Sequence, residues 1–393
     1  MKKILFVLPH MLCGGVEKAL LAILEVVKNE YDVTVCLVKE EGDFVDLIPN
    51  QVRKIEVPLD ETVREQLMLG GIKASAVYYA KKAQILNFLK LGKNILSSND
   101  LPTLLVPFEK IDSIKEEFDV AICFHMHMPF IVRYVAEKVQ AKNKYIWVHN
   151  DFAHSGFKIS TIEKYLVVYK QILVVTEQLK DEFIQLCPEC KEKVRVFHNL
   201  VSEETVVRMA DQDNAIELKS DKKIKFLTMG RLDIQKGYDL TLDVCSKLIE
   251  KGLQFTWYIL GNGVLEQHIR ERIKNEKLEV YVQLLGIRKN PYPYLKECDI
   301  YIQPSRHEGY GIAVAEARAL HKPIICTDFT GARDQIKDNI TGRIVSYDSE
   351  ELSAAILEVA NSMEIRKYYS ENLSLEKVDS DDEISMLKEL LGN

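Results

Sequence analysis

The chain has 393 residues and a mass of 45.1 kDa, too long for one typical core and suited to two domains of ordinary size. With 47% apolar and 28% charged residues it is composed like a globular protein, which excludes a collagen, a coiled coil, a disulfide miniprotein and a wholly disordered chain. The net charge of −7 lies entirely in the second half: residues 1–199 hold 26 basic and 26 acidic side chains and residues 200–393 hold 26 and 33, so no nucleic-acid partner is expected, and the neutral first half is the better suited to an anionic surface.

The first apolar run, 3–8, stops at Pro9–His10 with no small-residue cleavage site behind it. It reads as a buried strand rather than a signal peptide, and cytoplasmic residence is the expectation. No apolar run approaches the roughly 20 residues that span a bilayer. Further strands are expected at 32–38, 52–57, 119–124, 144–148, 171–175 and 194–197, with amphipathic helices between them. In 16–29, Val16, Ala19, Leu20, Ile23 and Leu24 recur at helical spacing. Uninterrupted Val/Ile/Leu strands separated by helices mean a parallel sheet covered on both faces.

In open α/β sheets ligands bind beyond the carboxyl ends of the strands, so the strand-to-helix turns are where chemistry is sought. In the first, Gly14 and Gly15 open the helix and let backbone approach an anion. The turn is not G-x-G-x-x-G and lacks the acidic residue expected about 20 positions on, so no nicotinamide site is expected there. The stretch 72–98 carries Lys73, Lys81, Lys82, Lys90 and Lys93 and no acidic residue, with Val77, Ile85, Phe88, Leu89, Ile95 and Leu96 loosely on one face. It reads either as a membrane-surface patch or as a core-packed helix with a wet face. His125 and His127 follow one strand and His149 another.

Most of the eight cysteines lie in or beside apolar runs and read as small buried hydrophobes. Cys187-Pro188-Glu189-Cys190 is a lone C-x-x-C without two further ligands at matching spacing, and reads as a helix-end loop rather than a metal or redox site.

A first domain over 1–200 thus gives way to a polar, acidic stretch, 202–221, that reads as a linker into a second domain over 201–365. The rhythm restarts there, with strands at 223–229, 255–260, 280–285, 299–303, 323–326 and 343–345 and helices at 239–251, 264–274, 312–320 and 350–363. A helical tail over 366–393 completes the chain; spacing leaves open where it docks, a return to the first domain included.

Three turns of the second domain carry candidate chemistry. Gly230-Arg231, with Lys236 and Gly237, can set two cations over a diphosphate, Arg gripping two oxygens and Lys acting as a point charge. Gly261-Asn262-Gly263 alone reads as a chain turn. In Glu308-Gly309-Tyr310-Gly311-Ile312, followed by Glu316, two carboxylates bracket a glycine turn before and one turn inside a helix, placed to grip different parts of one elongated ligand. Glu316 lies among alanines and needs a polar partner, because burying it unpaired is costly. Asp211-Gln212-Asp213 and Asp379-Ser380-Asp381 sit in polar stretches rather than at strand ends and read as solvated charge, not metal ligands.

Taken in order, Gly14-Gly15-Val16-Glu17, Arg231 with Lys236, Gly261-Asn262-Gly263, Gly286, Glu308-Gly-Tyr-Gly-x4-Glu316 and Pro323-Ile324-Ile325-Cys326-Thr327 resemble the retaining nucleotide-sugar glycosyltransferases of family 4, of the bacterial polysaccharide-biosynthesis type. The resemblance implies a GT-B fold, two Rossmann-like α/β domains facing across a cleft, the first for the acceptor and the second for the donor. It implies that Arg231 and Lys236 neutralise the donor diphosphate, that Glu316 holds the ribose hydroxyls, and that Glu308 contacts the sugar. It further implies that backbone at Gly309, Tyr310, Gly311 and Ile312 lines sugar and phosphate, that Gly14 and Gly15 close over the phosphates, that backbone at Ile287 and Arg288 reads the base, and that His149 sits near the reacting centre. His125 and His127 are weaker candidates on the acceptor side.

The implied activity is hexosyl transfer with retention of configuration from a nucleotide-sugar, a UDP-sugar by expectation, to a glycan, lipid-linked or protein-linked acceptor. The implied setting is cell-envelope or capsular polysaccharide or glycoconjugate synthesis, in the cytoplasm or at the inner face of the membrane. Cations and helix N-termini supply the leaving-group stabilisation, so neither metal nor cofactor is expected. Two other functions fit the same fold: a nucleotide-sugar epimerase, whose acid/base pattern differs from Glu308-x7-Glu316, and a non-catalytic partner subunit, against which the retention of all four charged residues argues.

Overall fold

The computed structural model describes residues 1–12, 14–68, 86, 89, 93, 108–212, 215–219, 222–376 and 380–392. The chain divides into two units. The first comprises Met1–Val174, Lys180–Phe197 and Lys388–Asn393; the second comprises Val175–Leu179 and His198–Leu387.

The first unit is built on seven parallel strands: β1 (Lys3–Leu8), β2 (Asp32–Leu37), β3 (Arg53–Glu56), β4 (Glu117–Cys123), β5 (Gln140–Val148), β6 (Gln171–Val174) and β7 (Val194–Val196). Their order is β3-β2-β1-β4-β5-β6-β7, so β1 is central, with Ile4 beside Val33 on one side and Val120 on the other. Every strand falls within a few residues of the apolar run that announced it. The helix Gly15–Val27 turns Ala19, Leu20, Ile23 and Leu24 inward, as helical spacing predicts; Val16 is only half-buried, and Val27 joins the buried face.

The second unit holds six parallel strands: β8 (Ile224–Met229), β9 (Phe255–Leu260), β10 (Val282–Gly286), β11 (Ile300–Gln303), β12 (Ile324–Thr327) and β13 (Gly342–Val345), in the order β10-β9-β8-β11-β12-β13. Successive side chains on a strand point to opposite faces. Phe226, Trp257 and Ile302 therefore enter one apolar layer with the helices Tyr238–Glu250 and Ser349–Asn361, and Leu227, Tyr258 and Tyr301 enter the other with Val314 and Ala317. Burying each such side chain is worth about 1.5–3 kcal/mol, which explains why these positions are apolar.

The expectation of a linker at 202–221 needs correction. The stretch forms two helices, Glu203–Ala210 and Ile216–Lys219. Ser202 caps the first by accepting the Thr205 N–H at 3.2 Å, and Glu203 and Glu204 sit in its positive first turn. Of the stretch's apolar side chains Val206, Ala210, Ala215 and Leu218 are buried, enough to dock it, while Val207 is exposed. The chain ends in two helices, Met363–Leu375, whose Tyr369 and Leu373 are buried, and Asp381–Gly392. The basic stretch 72–98 lies outside the described residues apart from 86, 89 and 93, which are helical and exposed. Among the described residues no helix is long and apolar enough to cross a membrane.

Candidate active site

In each sheet the strand order reverses once, between β1 and β4 and between β8 and β11. Loops diverge there at the carboxyl ends of the strands and leave a crevice in which ligands of such folds bind. In the second unit the two loops flanking the reversal are the ones the sequence marks: β8 runs into Gly230–Gly237 and β11 into Pro304–Gly311.

The first loop is held from beneath. Asp233 accepts the Lys236 N–H at 3.2 Å, closing a short turn over Ile234–Lys236, and Gly237 follows at φ +68°. A Cβ at Gly237 would lie 1.9 Å from the Pro304 carbonyl oxygen, so only glycine lets the two loops meet. Gly261-Asn262-Gly263 acts from the side: Leu232 N–H donates to Asn262 O at 2.7 Å, and a Cβ at Gly261 would lie 1.9 Å from Gly230 O. The glycine pair thus turns the chain, as its spacing suggested, and in doing so supports the loop of Arg231.

Lys236 and Glu308, 72 residues apart, form an ion pair. Glu308 is buried and also accepts from Ser305 Oγ at 2.8 Å and Gln303 Nε2 at 3.1 Å. Three donors thus meet the desolvation cost of one carboxylate. Arg231 points outward, 57% of its side chain exposed, with Nε 3.1 Å from Asp233. One half-buried ammonium and one exposed guanidinium on a single turn could together meet an anion.

Gly311 sits at φ +83° as the N-cap of the helix Ile312–Ala319, with Phe329 against the place of its missing Cβ. The Gln335 amide holds the loop carbonyls of Tyr310 and Gly311. The helix starts with its unpaired N–H groups at the loop, which favours negative charge there. Glu316, one turn in, is 2% exposed and accepts the Tyr292 hydroxyl at 3.0 Å. Ile287 and Arg288 follow β10 directly; Ile287 is exposed, and Arg288 donates to the Tyr294 hydroxyl at 2.8 Å and to Glu217 at 3.2 Å.

The first unit repeats the geometry with different side chains. Gly14 is the extended N-cap of its first helix, and a Cβ there would lie 2.5 Å from Glu17 Oε2. That carboxylate is buried, 3.2 Å from His10 Nδ1. His125, His127 and His149 gather at the ends of the adjacent strands β4 and β5. His149 lies against Phe124, ring centroids 4.6 Å apart, and parallel to Trp147 at 6.0 Å. Among the described residues no hydrogen bond of good geometry reaches either ring nitrogen, though the Phe124 backbone is beside it. Burial holds His149 well below the ordinary imidazole range, with His125 and His127 adding to the effect, and takes His127 down to about 4. All are therefore neutral at pH 7.

The seven described cysteines are buried. Among the described residues one group of three metal-ligating side chains converges, Cys187, Glu189 and Cys190. It lies on the turn before β7, away from the carboxyl ends of the strands, with the sulfurs 2.9 Å apart. Asp211 pairs with Lys296 at the surface. Residues that spacing did not single out include Gln303, Ser305 and Tyr292, which fix the two carboxylates. Their signal was only that a carboxylate beside a strand end needs donors.

The family model for glycosyl transferases group 1 matches residues 209–374, the stretch that contains Arg231, Lys236, Glu308 and Glu316. A Campylobacter jejuni protein, N-acetylgalactosamine-N,N'-diacetylbacillosaminyl-diphospho-undecaprenol 4-alpha-N-acetylgalactosaminyltransferase, is 30% identical over 197 residues, 49% of this chain; the matched region spans 52% of that relative's length. An uncharacterized 41.2 kDa protein in the cps region of Klebsiella pneumoniae is 27% identical over 293 residues, 70% of this chain and 76% of its own. HepE of Anabaena, solved in complex with UDP and glucose, is similar in fold with a TM-score of 0.73 at 16% identity, over 100% of both chains.

Proposed function

We propose that the protein transfers a hexosyl group from a UDP-sugar, with retention of configuration, to a lipid-linked or glycan acceptor in cell-envelope polysaccharide synthesis; the match of residues 209–374 to the group 1 glycosyl transferases and the GT-B fold support this reading. The observation that carries this reading is the pairing of Lys236 with a buried Glu308 on the two loops that flank the strand-order reversal. The relatives favour the same chemistry: one is named for transfer to a diphospho-undecaprenol-linked sugar, one lies in a cps region, and one was solved with UDP.

In this reaction the bond between the anomeric carbon and the phosphate oxygen breaks, and the acceptor oxygen bonds that carbon. The acceptor proton passes to the departing nucleoside diphosphate or to solvent. Charge builds on the leaving diphosphate, where Lys236, Arg231 and the N–H groups opening the helix Ile312–Ala319 stabilise it. Glu308 holds Lys236 before the donor arrives and turns to the sugar when the ammonium moves to phosphate. Glu316, oriented by Tyr292, takes the ribose hydroxyls. These groups supply the required cations, so no divalent metal takes part.

A thermal-shift series with UDP, GDP and ADP tests the reading. UDP at 100 times its dissociation constant should stabilise the protein by about 2.7 kcal/mol. The shift should survive EDTA and be lost in Arg231→Ala. Absence of a shift with any nucleoside diphosphate would overturn the proposal, and a shift that requires added Mg²⁺ or Mn²⁺ would overturn its metal-free form. Once the donor is found, the anomeric proton coupling of the product reports stereochemistry; an inverted product rules out retention.

A further inference from the structure

Behind the loop Glu308–Ile312 lies a charged cluster that the transfer reaction does not use. His198, the residue at which the second unit resumes after Phe197, has its ring centroid 5.8 Å from that of Tyr310, with the planes 35° apart. Its Nδ1 is 2.9 Å from Glu383 Oε1, and its Nε2 is 3.6 Å from Asp334 Oδ2. A carboxylate only accepts, so an imidazole that meets one at each nitrogen is satisfied only when both nitrogens carry protons. Asp334, and then Glu383, raise the His198 pKa to about 9 against the opposing effect of burial, so the ring is a cation at neutral pH.

The partners come from separate parts of the unit. Glu383 belongs to the first turn of the helix Asp381–Gly392. Asp334 belongs to the short helix Ala332–Gln335 and also accepts the Glu177 N–H at 3.1 Å. The next residue, Gln335, is the one whose amide holds the carbonyls of Tyr310 and Gly311. One turn of chain thus grips His198 with one side chain and the loop with its neighbour. Tyr310, 9% exposed, is held at its carbonyl by Gln335 and flanked at its ring by His198. The other charged group acting on the Tyr310 phenol is Arg318, which pairs with Glu376.

We propose that His198 is a positioning residue for the donor site: an imidazolium fixed between Asp334 and Glu383 that braces Tyr310 and thereby sets the loop Glu308–Ile312 that receives the nucleotide-sugar. The inference rests on the donor-site reading of that loop. It goes beyond that reading by assigning the geometry of the loop in part to His198 and Glu383, which lie outside residues 209–374, the second of them on the helix Asp381–Gly392.

Two variants test it, His198→Gln and Glu383→Gln. Each removes one side of the ion pairing and keeps a side chain that can hydrogen-bond. His198→Gln should weaken UDP binding, read by calorimetry, about fivefold or more, with kcat at saturating donor within about twofold of wild type. Glu383→Gln should fall between the two. Hydrogen exchange of residues 308–312 should quicken in both variants without any nucleotide. In wild type the donor KM should rise as pH passes about 9, where His198 loses its proton and the brace its charge, and that rise should be missing from His198→Gln. Wild-type UDP affinity with unchanged exchange in 308–312 would overturn the proposal, even if the melting temperature fell, since the cluster would then only hold the fold. If wild type itself binds no nucleotide, the donor-site reading fails, and the exchange comparison still decides whether His198 braces the loop.

Discussion

Lys236→Ala is expected to lower kcat by about 100- to 1,000-fold while the donor KM changes far less. An ammonium that meets charge developing on a leaving group contributes on the order of 2.7–4 kcal/mol to the transition state. The same substitution has a second effect, because Lys236 is the cation paired with buried Glu308. Gln303 and Ser305 still donate to that carboxylate, but an uncompensated buried charge costs about 3–5 kcal/mol of stability. The two effects separate in the double variant Lys236→Ala/Glu308→Gln, which removes the stranded charge. Urea denaturation should show stability recovered in the double variant, and steady-state kinetics should show no recovery of turnover. Wild-type kcat in Lys236→Ala would remove Lys236 from the reaction.

Gly261→Ala is expected to be among the most damaging single methyls in the second unit, costing about 3 kcal/mol or more and abolishing nucleotide binding. Two causes add. Gly261 has φ +141°, outside the range L side chains readily adopt, and the new Cβ would lie 1.9 Å from Gly230 O. That oxygen cannot retreat freely, since it accepts the Tyr238 hydroxyl at 2.9 Å and belongs to the backbone that presents Arg231. Gly156→Ala is the matched control. It also has positive φ, +65°, but nothing lies within 4 Å of its Cβ position, so only the backbone cost of about 1–2 kcal/mol remains. Equal losses in the two variants, read from urea midpoints, would show that contact with Gly230 carries no weight.

The parallel strands were legible because each is an apolar run bounded by turn residues; β1 and β9 match 3–8 and 255–260 residue for residue. The stretch 202–221 was misread because its apolar residues are sparse, and only the neighbouring helices reveal that four of them suffice to dock it. Arg231, Lys236, Glu308 and Glu316 stand out in the sequence because turn glycines surround them. What holds them does not. Tyr292 lies 24 residues from Glu316, and His198 lies 185 from Glu383; spacing within one element says nothing about such pairs. The grouping of His125, His127 and His149 depends on β4 lying next to β5, a neighbour relation set by the whole sheet.

The first unit is closed by residues from the far end of the chain. Leu390 and Leu391 are buried, the Tyr145 hydroxyl donates to Leu390 O at 3.2 Å, and Lys388 pairs with Glu30 at 2.8 Å. The unit is therefore discontinuous in sequence, and a ribosome delivers its last piece some 190 residues after Phe197. Domains usually fold as they emerge, amino-terminal first, but this one must wait half-finished, with apolar surface uncovered, until residue 391 has left the exit tunnel. Nascent chains stalled short of that point should be easily cut by protease within residues 1–197. A fusion or truncation at residue 388 or beyond would therefore disturb the first unit, although the residues next to it in sequence belong to the second.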